Sequence, residues 1–154
     1  MIPNTYFENL SRLGKEHAGK CNVHEARKDS IIEAHGWDST EMDAWYTEKK
    51  HLEETNPLCG GIGKVFRAWL YSESNELEMS DFLWEREVPE FVETLRKAGI
   101  QSFVYTNQST AVMENIHQFV AAGCTLEGPC TLVKKSNRWG EETEEQVIGL
   151  RVRL

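Results

Sequence analysis

The four cysteines and five histidines have the widest chemical range in this chain, and their spacing decides what each could do. Cys21-x-x-His24 could place two metal ligands on one turn of a helix. Structural zinc sites pair two such dipeptides, and His17, His35, His51 and Cys59 supply no second pair at matching spacing. Solvated histidines on amphipathic helices are therefore the expectation, with no metal and no cofactor. Cys59 precedes Gly60-Gly61, whose backbone amides could support an oxyanion. A nucleophilic thiol needs surroundings that favour the thiolate, and an acidic chain opposes that. Cys124 and Cys130 lie in apolar, strand-like contexts and read as inert core. No catalytic residue is assigned.

Gly60-Gly61-Ile62-Gly63-Lys64 looks at first like a phosphate-binding loop. Such a loop needs a glycine five residues before the Gly-Lys pair and Ser or Thr after it, and Leu58 and Val65 occupy those places. A flexible connection is expected instead. Asn107-Gln108-Ser109-Thr110 is better placed, between an expected strand and an expected helix. Loops at the carboxyl ends of parallel strands hold ligands, and a helix amino terminus attracts anions. These four residues are the candidate small-ligand site, with a polar turn and helix cap as the simpler reading.

Charge placement is the most unusual feature. Between positions 73 and 93 stand Glu73, Glu76, Glu78, Asp81, Glu85, Glu87, Glu90 and Glu93, with Arg86 as the only base. Glu141, Glu142, Glu144 and Glu145 form a second cluster beside Trp139. Such runs are commonly solvated faces. The sharper expectation is an acidic surface that docks on a basic protein, with Trp84 and Trp139 as aromatic anchors inside the two clusters. Trp37, Trp45 and Trp69 are assigned to the core.

The elements that must position these residues follow from periodicity and punctuation. Thr5-x-x-Glu8 has capping-box form, with Tyr6, Phe7, Leu10 and Leu13 at helical spacing and a stop at Gly14 or Gly19. A second helix is read from Asn22 to Gly36, and a third from Ser39 or Thr40 to Asn56-Pro57. After the glycine cluster, Lys64–Tyr71 reads as a first strand, and Glu76–Met79 as a short second one after a Ser74-Asn75 turn. Val88–Leu95 opens a helix with Pro89 near its start and ends at Ala98-Gly99, followed by a strand over 101–106. A helix capped by Ser109 or Thr110 ends at Ala122-Gly123, and strands follow over 124–126, 130–133 and 146–154, the last after a turn at 137–140. The fold class is α+β: a mainly helical section over 1–58, then a small, partly parallel mixed sheet with crossover helices over 64–154, in a single domain over 1–154.

The stretch Trp84–Ile100, with Gln108–Met113 after it, resembles a family of small uncharacterised proteins of anaerobic Gram-positive bacteria and their mobile elements. The likeness covers the second half of the chain and lies in a pattern of helix, Ala-Gly stop and strand. It implies a bacterial setting and an accessory or anti-defence gene, and it brings no catalytic residue with it.

Size and charge set the remaining bounds. A chain of 154 residues with 40% hydrophobic residues can bury a core without disulfides. A net charge of -8 opposes direct nucleic-acid binding and anionic membrane surfaces. The amino terminus shows no secretory pattern, and the longest apolar run, Ala68–Tyr71, is far too short to span a membrane. A cytoplasmic protein with reduced, mostly buried thiols is expected. The leading functional expectation is a non-enzymatic inhibitor that occupies the basic groove of a nucleic-acid-binding enzyme, of the anti-CRISPR or anti-restriction type. A ligand-binding protein or enzyme using Asn107–Thr110, and an oligomeric housekeeping domain, are the alternatives.

Overall fold

The computed structural model describes residues 3–74, 76–108, 111–138 and 140–154, with residues 136–138 as backbone only. The chain divides into two compact units, one formed by residues 8–58 and the other by residues 1–7 with 59–154. The division falls where the sequence changes character.

Helix α1 spans Thr5–Ala26, α2 Lys28–His35 and α3 Thr40–Glu54. Helix α1 is one continuous element where the glycines suggested a stop at Gly14 or Gly19. Two interior glycines cost about 1 kcal/mol each, too little to break 22 residues whose i, i+4 stripe continues through Leu13, His17 and Cys21. The expected capping box at Thr5 and Glu8 is replaced by Asn4, whose Oδ1 accepts from the amides of Tyr6 at 3.1 Å and Phe7 at 3.3 Å. Helix α2 consequently begins later than read, after a turn at Arg27, and ends at Gly36 as expected. Ser39 caps α3 by accepting from the Met42 amide. Trp45 anchors the 8–58 unit: its indole donates to the carbonyl of His24, while His24 Nε2 donates to the carbonyl of Trp45 and the two rings stack. Trp37 is 60% exposed, against the expectation of a core residue.

In the second unit, residues 60–71 form helix α4 (Gly60–Tyr71), where a flexible loop and a strand over 64–71 were expected. Aromatic and β-branched content misled, because the burial has helical period: Gly61, Val65, Ala68 and Trp69 face inward together with Phe66. The glycines serve packing. A Cβ on Gly61 would stand 2.6 Å from the backbone nitrogen of Phe91 and 2.8 Å from the carbonyl oxygen of Glu87. Helix α4 can therefore lie close to α5 (Val88–Lys97) only with glycine there. A 3-10 turn over 85–87 precedes α5, and Pro89 sits in its first turn as expected. The Ala-Gly stops are also as read: Gly99 (φ +72°) ends α5 and Gly123 (φ +83°) ends α6 (Val112–Ala121).

The strands are β1 (Glu78–Met79), β2 (Ser102–Tyr105), β3 (Thr125–Arg138) and β4 (Glu141–Arg153), in the order β1-β2-β4-β3. β1 and β2 are parallel, joined through α5, and the remaining pairs are antiparallel. The partly parallel mixed sheet is thus observed. The separate short strands read over 124–133 are one long strand. Gly128-Pro129 is absorbed as an irregularity in register between Leu126 and Gly128. Directly opposed residues share a face, so Phe103, Val152 and Leu126 line one side of the sheet. There Phe103 packs edge-on against Phe91 and Phe119, and Tyr105 against Phe119. Val104, Glu78 and Arg151 line the other side.

Candidate functional site

The carboxyl ends of the parallel strands carry a polar network. Glu78, only 6% exposed, accepts from the hydroxyl of Thr106 at 2.6 Å and from the ammonium of Lys134 at 2.7 Å. Its backbone amide donates to Ser72, whose own hydroxyl donates to the carbonyl of Ala68, so the end of α4 is tied to β1. Asn107, also buried, donates to the carbonyl of Asp81 at 2.6 Å. Asn115, near the start of α6, donates to the carbonyl of Leu83 and to the hydroxyl of Tyr105. Its buried Oδ1 has no hydrogen-bond partner among the described residues. Burial pushes the Tyr105 phenol up, against the pull of the Asn115 bond. Of the candidate ligand residues, Asn107 holds the loop to the Asp81 carbonyl and Gln108 is exposed, while Ser109 and Thr110 lie outside the described residues.

The acids of 73–93 do not share a fate. Glu76 makes a two-pronged pair with Arg151, at 3.1 and 2.7 Å. Asp81 receives Arg67 at 3.0 Å and Lys64 at 3.7 Å. Partial burial would raise the Asp81 carboxyl, but the bonds from Arg67 and the Phe82 amide, with the nearby cations, hold it below its ordinary value. Glu87 accepts from the Trp84 amide, Glu90 accepts from the Gly61 amide at 2.6 Å, and Glu93 pairs with Lys97. Glu73 and Glu85 are exposed. Trp84 is 51% exposed, lies edge-on to Phe82 and has Arg86 over its ring.

The second acidic cluster stands on a different support. β3 and β4 pair continuously from Thr125/Arg153 to Arg138/Glu141, yet β2 reaches only Leu150–Arg153 of β4. Among the described residues, no third strand pairs with 141–149; Gly149 still packs against residues 104–106, and beyond it a two-stranded ribbon continues with an open β4 edge. Glu141, Glu142, Glu144 and Glu145 are all exposed on it, as is Ile148 at 70%. Register sets Lys134 opposite Glu145, but the Lys134 ammonium goes to Glu78 instead. Lys135 stays near Glu144, at 3.5 Å. Trp139 lies outside the described residues.

The thiols and histidines are arranged otherwise than the sequence suggested. Cys59 is exposed at the start of α4, and the Gly61 amide that could have served an oxyanion is taken by the Glu90 carboxylate. Of the four thiols only Cys124 is buried, and burial pushes it up despite Arg96, which acts the other way. Cys21 and His24 do not form a pair: His24 turns to Trp45, while Cys21 Sγ lies 3.6 Å from His17 Nδ1. The signal for that contact was the i, i+4 spacing of His17 and Cys21, which places both on one helix face. Among the described residues no group of three or more His, Cys, Asp or Glu is gathered to hold a metal ion. No helix among them is long and apolar enough to cross a membrane.

Neither a curated protein nor a solved structure matches the chain. A family model does match residues 62–154, from within α4 through the end of the ribbon, and so covers the whole sheet and both crossover helices. With more than half of its length matched, the chain belongs to the family described as Domain of unknown function (DUF7698).

Proposed function

We propose that this protein is a non-enzymatic binding domain that engages a basic protein through the acidic outer part of the β3–β4 ribbon. The diversion of Lys134 to Glu78 carries the reading, because it leaves the four ribbon glutamates beside a reduced set of cations on an open strand edge. An edge with free backbone groups adds a partner strand readily, and the side chains beside it select which strand is accepted. Glutamates repel a second copy of the same edge and favour a lysine- or arginine-bearing segment. A basic groove of the kind nucleic-acid enzymes present has the right chemistry. An inhibitor carried by a mobile element of an anaerobic Gram-positive bacterium, of the anti-CRISPR or anti-restriction type, is the specific form of this reading. Trp84 and the exposed Glu85 offer a second contact of the same sign.

The test is low-salt affinity capture from bacterial lysate in parallel with the wild type and the variant E141Q/E142Q/E144Q/E145Q, followed by hydrogen exchange on the complex. The reading expects a basic protein that salt releases and the variant fails to hold, with slowed exchange across 141–149. Equal capture by the variant, or protection confined to other segments, overturns it.

A second reading rests on the unpartnered Asn115 Oδ1 close to the strand-end loop: a small hydrogen-bond donor held near Asn107. A metabolite screen by thermal shift, with Asn115→Leu as control, decides it. A shift lost in the variant supports this reading, and no shift from any compound removes it.

A further inference from the structure

In the 8–58 unit, Cys21 and His17 stand one turn apart on α1, with Sγ 3.6 Å from Nδ1. His17 Nε2 lies 2.8 Å from the carbonyl oxygen of Leu52 in α3. A carbonyl only accepts, so Nε2 carries the proton and Nδ1 presents its lone pair to the thiol. A nucleophile, a base within reach and a third group that orients the base are the three parts of an activated thiol. Cys21 and His17 border a cavity of about 400 Å³ whose lining includes Asn22, Glu53, Asn56 and Leu58. Asn56, which lines that cavity, is held by an Oδ1 that accepts from the Leu58 amide.

We propose that Cys21 is a modification site, a thiol that exchanges with small aliphatic disulfides with His17 as its base. The thiol proton passes to His17 Nδ1, and the sulfur attacks one sulfur of the disulfide. A new S–S bond forms to Cys21 as the old one breaks, and the departing thiolate takes the proton back from the imidazolium. Electrons balance, because one disulfide replaces another. The cavity holds the adduct, with the carboxamides of Asn22 and Asn56 beside it.

Accessibility alone ranks the thiols differently. Cys59 is exposed, Cys21 and Cys130 are half-buried and Cys124 is buried, so a purely steric order puts Cys59 first. The Gly61 amide beside Cys59 is already taken by the Glu90 carboxylate. The experiment treats the full chain with oxidised glutathione and, separately, iodoacetamide, and follows each cysteine by peptide mass spectrometry across pH. Cys21 is expected to react roughly tenfold faster than Cys59. In His17→Gln, the Cys21 rate is expected to fall about a hundredfold, the low end of what a positioned base contributes, while the Cys59 rate holds. A wild-type order with Cys59 first overturns the proposal and requires no variant. So does a Cys21 rate unchanged in His17→Gln.

Discussion

Two acidic stretches look alike as text and differ as structure. In 73–93 most carboxylates are committed one by one: to Arg151, to Lys134 and Thr106, to Lys64 and Arg67, or to the backbone amides of Trp84 and Gly61. In 141–145 the carboxylates stand on a ribbon where Lys134, opposite Glu145 by register, has been drawn away to Glu78, while Lys135 stays near Glu144. An acidic run is therefore not a surface property. The first stretch uses most of its charge to hold the fold, and the second stands exposed on the ribbon.

The largest effect is expected at Glu78. Glu78→Ala strips the partner from Lys134 and from the buried Thr106 hydroxyl and is expected to cost about 3 kcal/mol in urea unfolding. Replacing the pair together, Glu78→Leu with Lys134→Met, is expected to recover most of that loss, since no charge is then left unpaired. If Glu78→Ala unfolds at the wild-type urea midpoint, the contrast between the two stretches collapses.

Next comes Gly61→Ala, expected to cost about 2 kcal/mol because the added methyl meets the α5 backbone, which cannot turn aside as a side chain would. Thermal unfolding measures it. Glu90→Ala removes the acceptor from the Gly61 amide and is expected to cost about 1 kcal/mol, with Glu90→Gln falling between it and the wild type.

Asp81 sharpens the comparison through pH. Its carboxyl is held below the ordinary value of 3.8 in the folded protein. The stability this contributes is fully present above that ordinary value and is lost as pH falls through the folded one. Asp81→Asn is expected to flatten the acid limb of a stability–pH curve below about pH 4 while leaving the slope above neutrality alone. The smallest effects belong to the ribbon. Each of Glu141, Glu142, Glu144 and Glu145 to Gln is expected to change stability by no more than about 0.5 kcal/mol, the ordinary range for exposed positions. A loss of several kcal/mol there would make the ribbon acids structural, like those of 73–93.

Where a local rule sufficed, the sequence was readable. The two Ala-Gly stops, the proline-led start of α5 and the strand over 102–105 depend on neighbours a few positions away. Helix α4 was not readable as a helix, because its glycines answer to the α5 backbone and not to their own segment. The ribbon was underestimated because glycine and proline at 128–129 usually end a strand, and here the cross-strand ladder runs on through them. At the candidate site the residue types were visible but their partners were not. Arg151 lies 75 positions from Glu76, and no spacing rule joins them.

The sequence alone determined the class of fold, the change of character near residue 59, the helix ends set by glycine and the acidic balance of the chain. These rest on backbone preference, side-chain periodicity and charge count, which are local or additive. Tertiary structure alone decided which carboxylates would be neutralised, that Lys134 would leave its register partner for Glu78, and that His24 would turn to Trp45. A buried charge must find its counterpart wherever the chain brings one, and that choice belongs to the packed molecule.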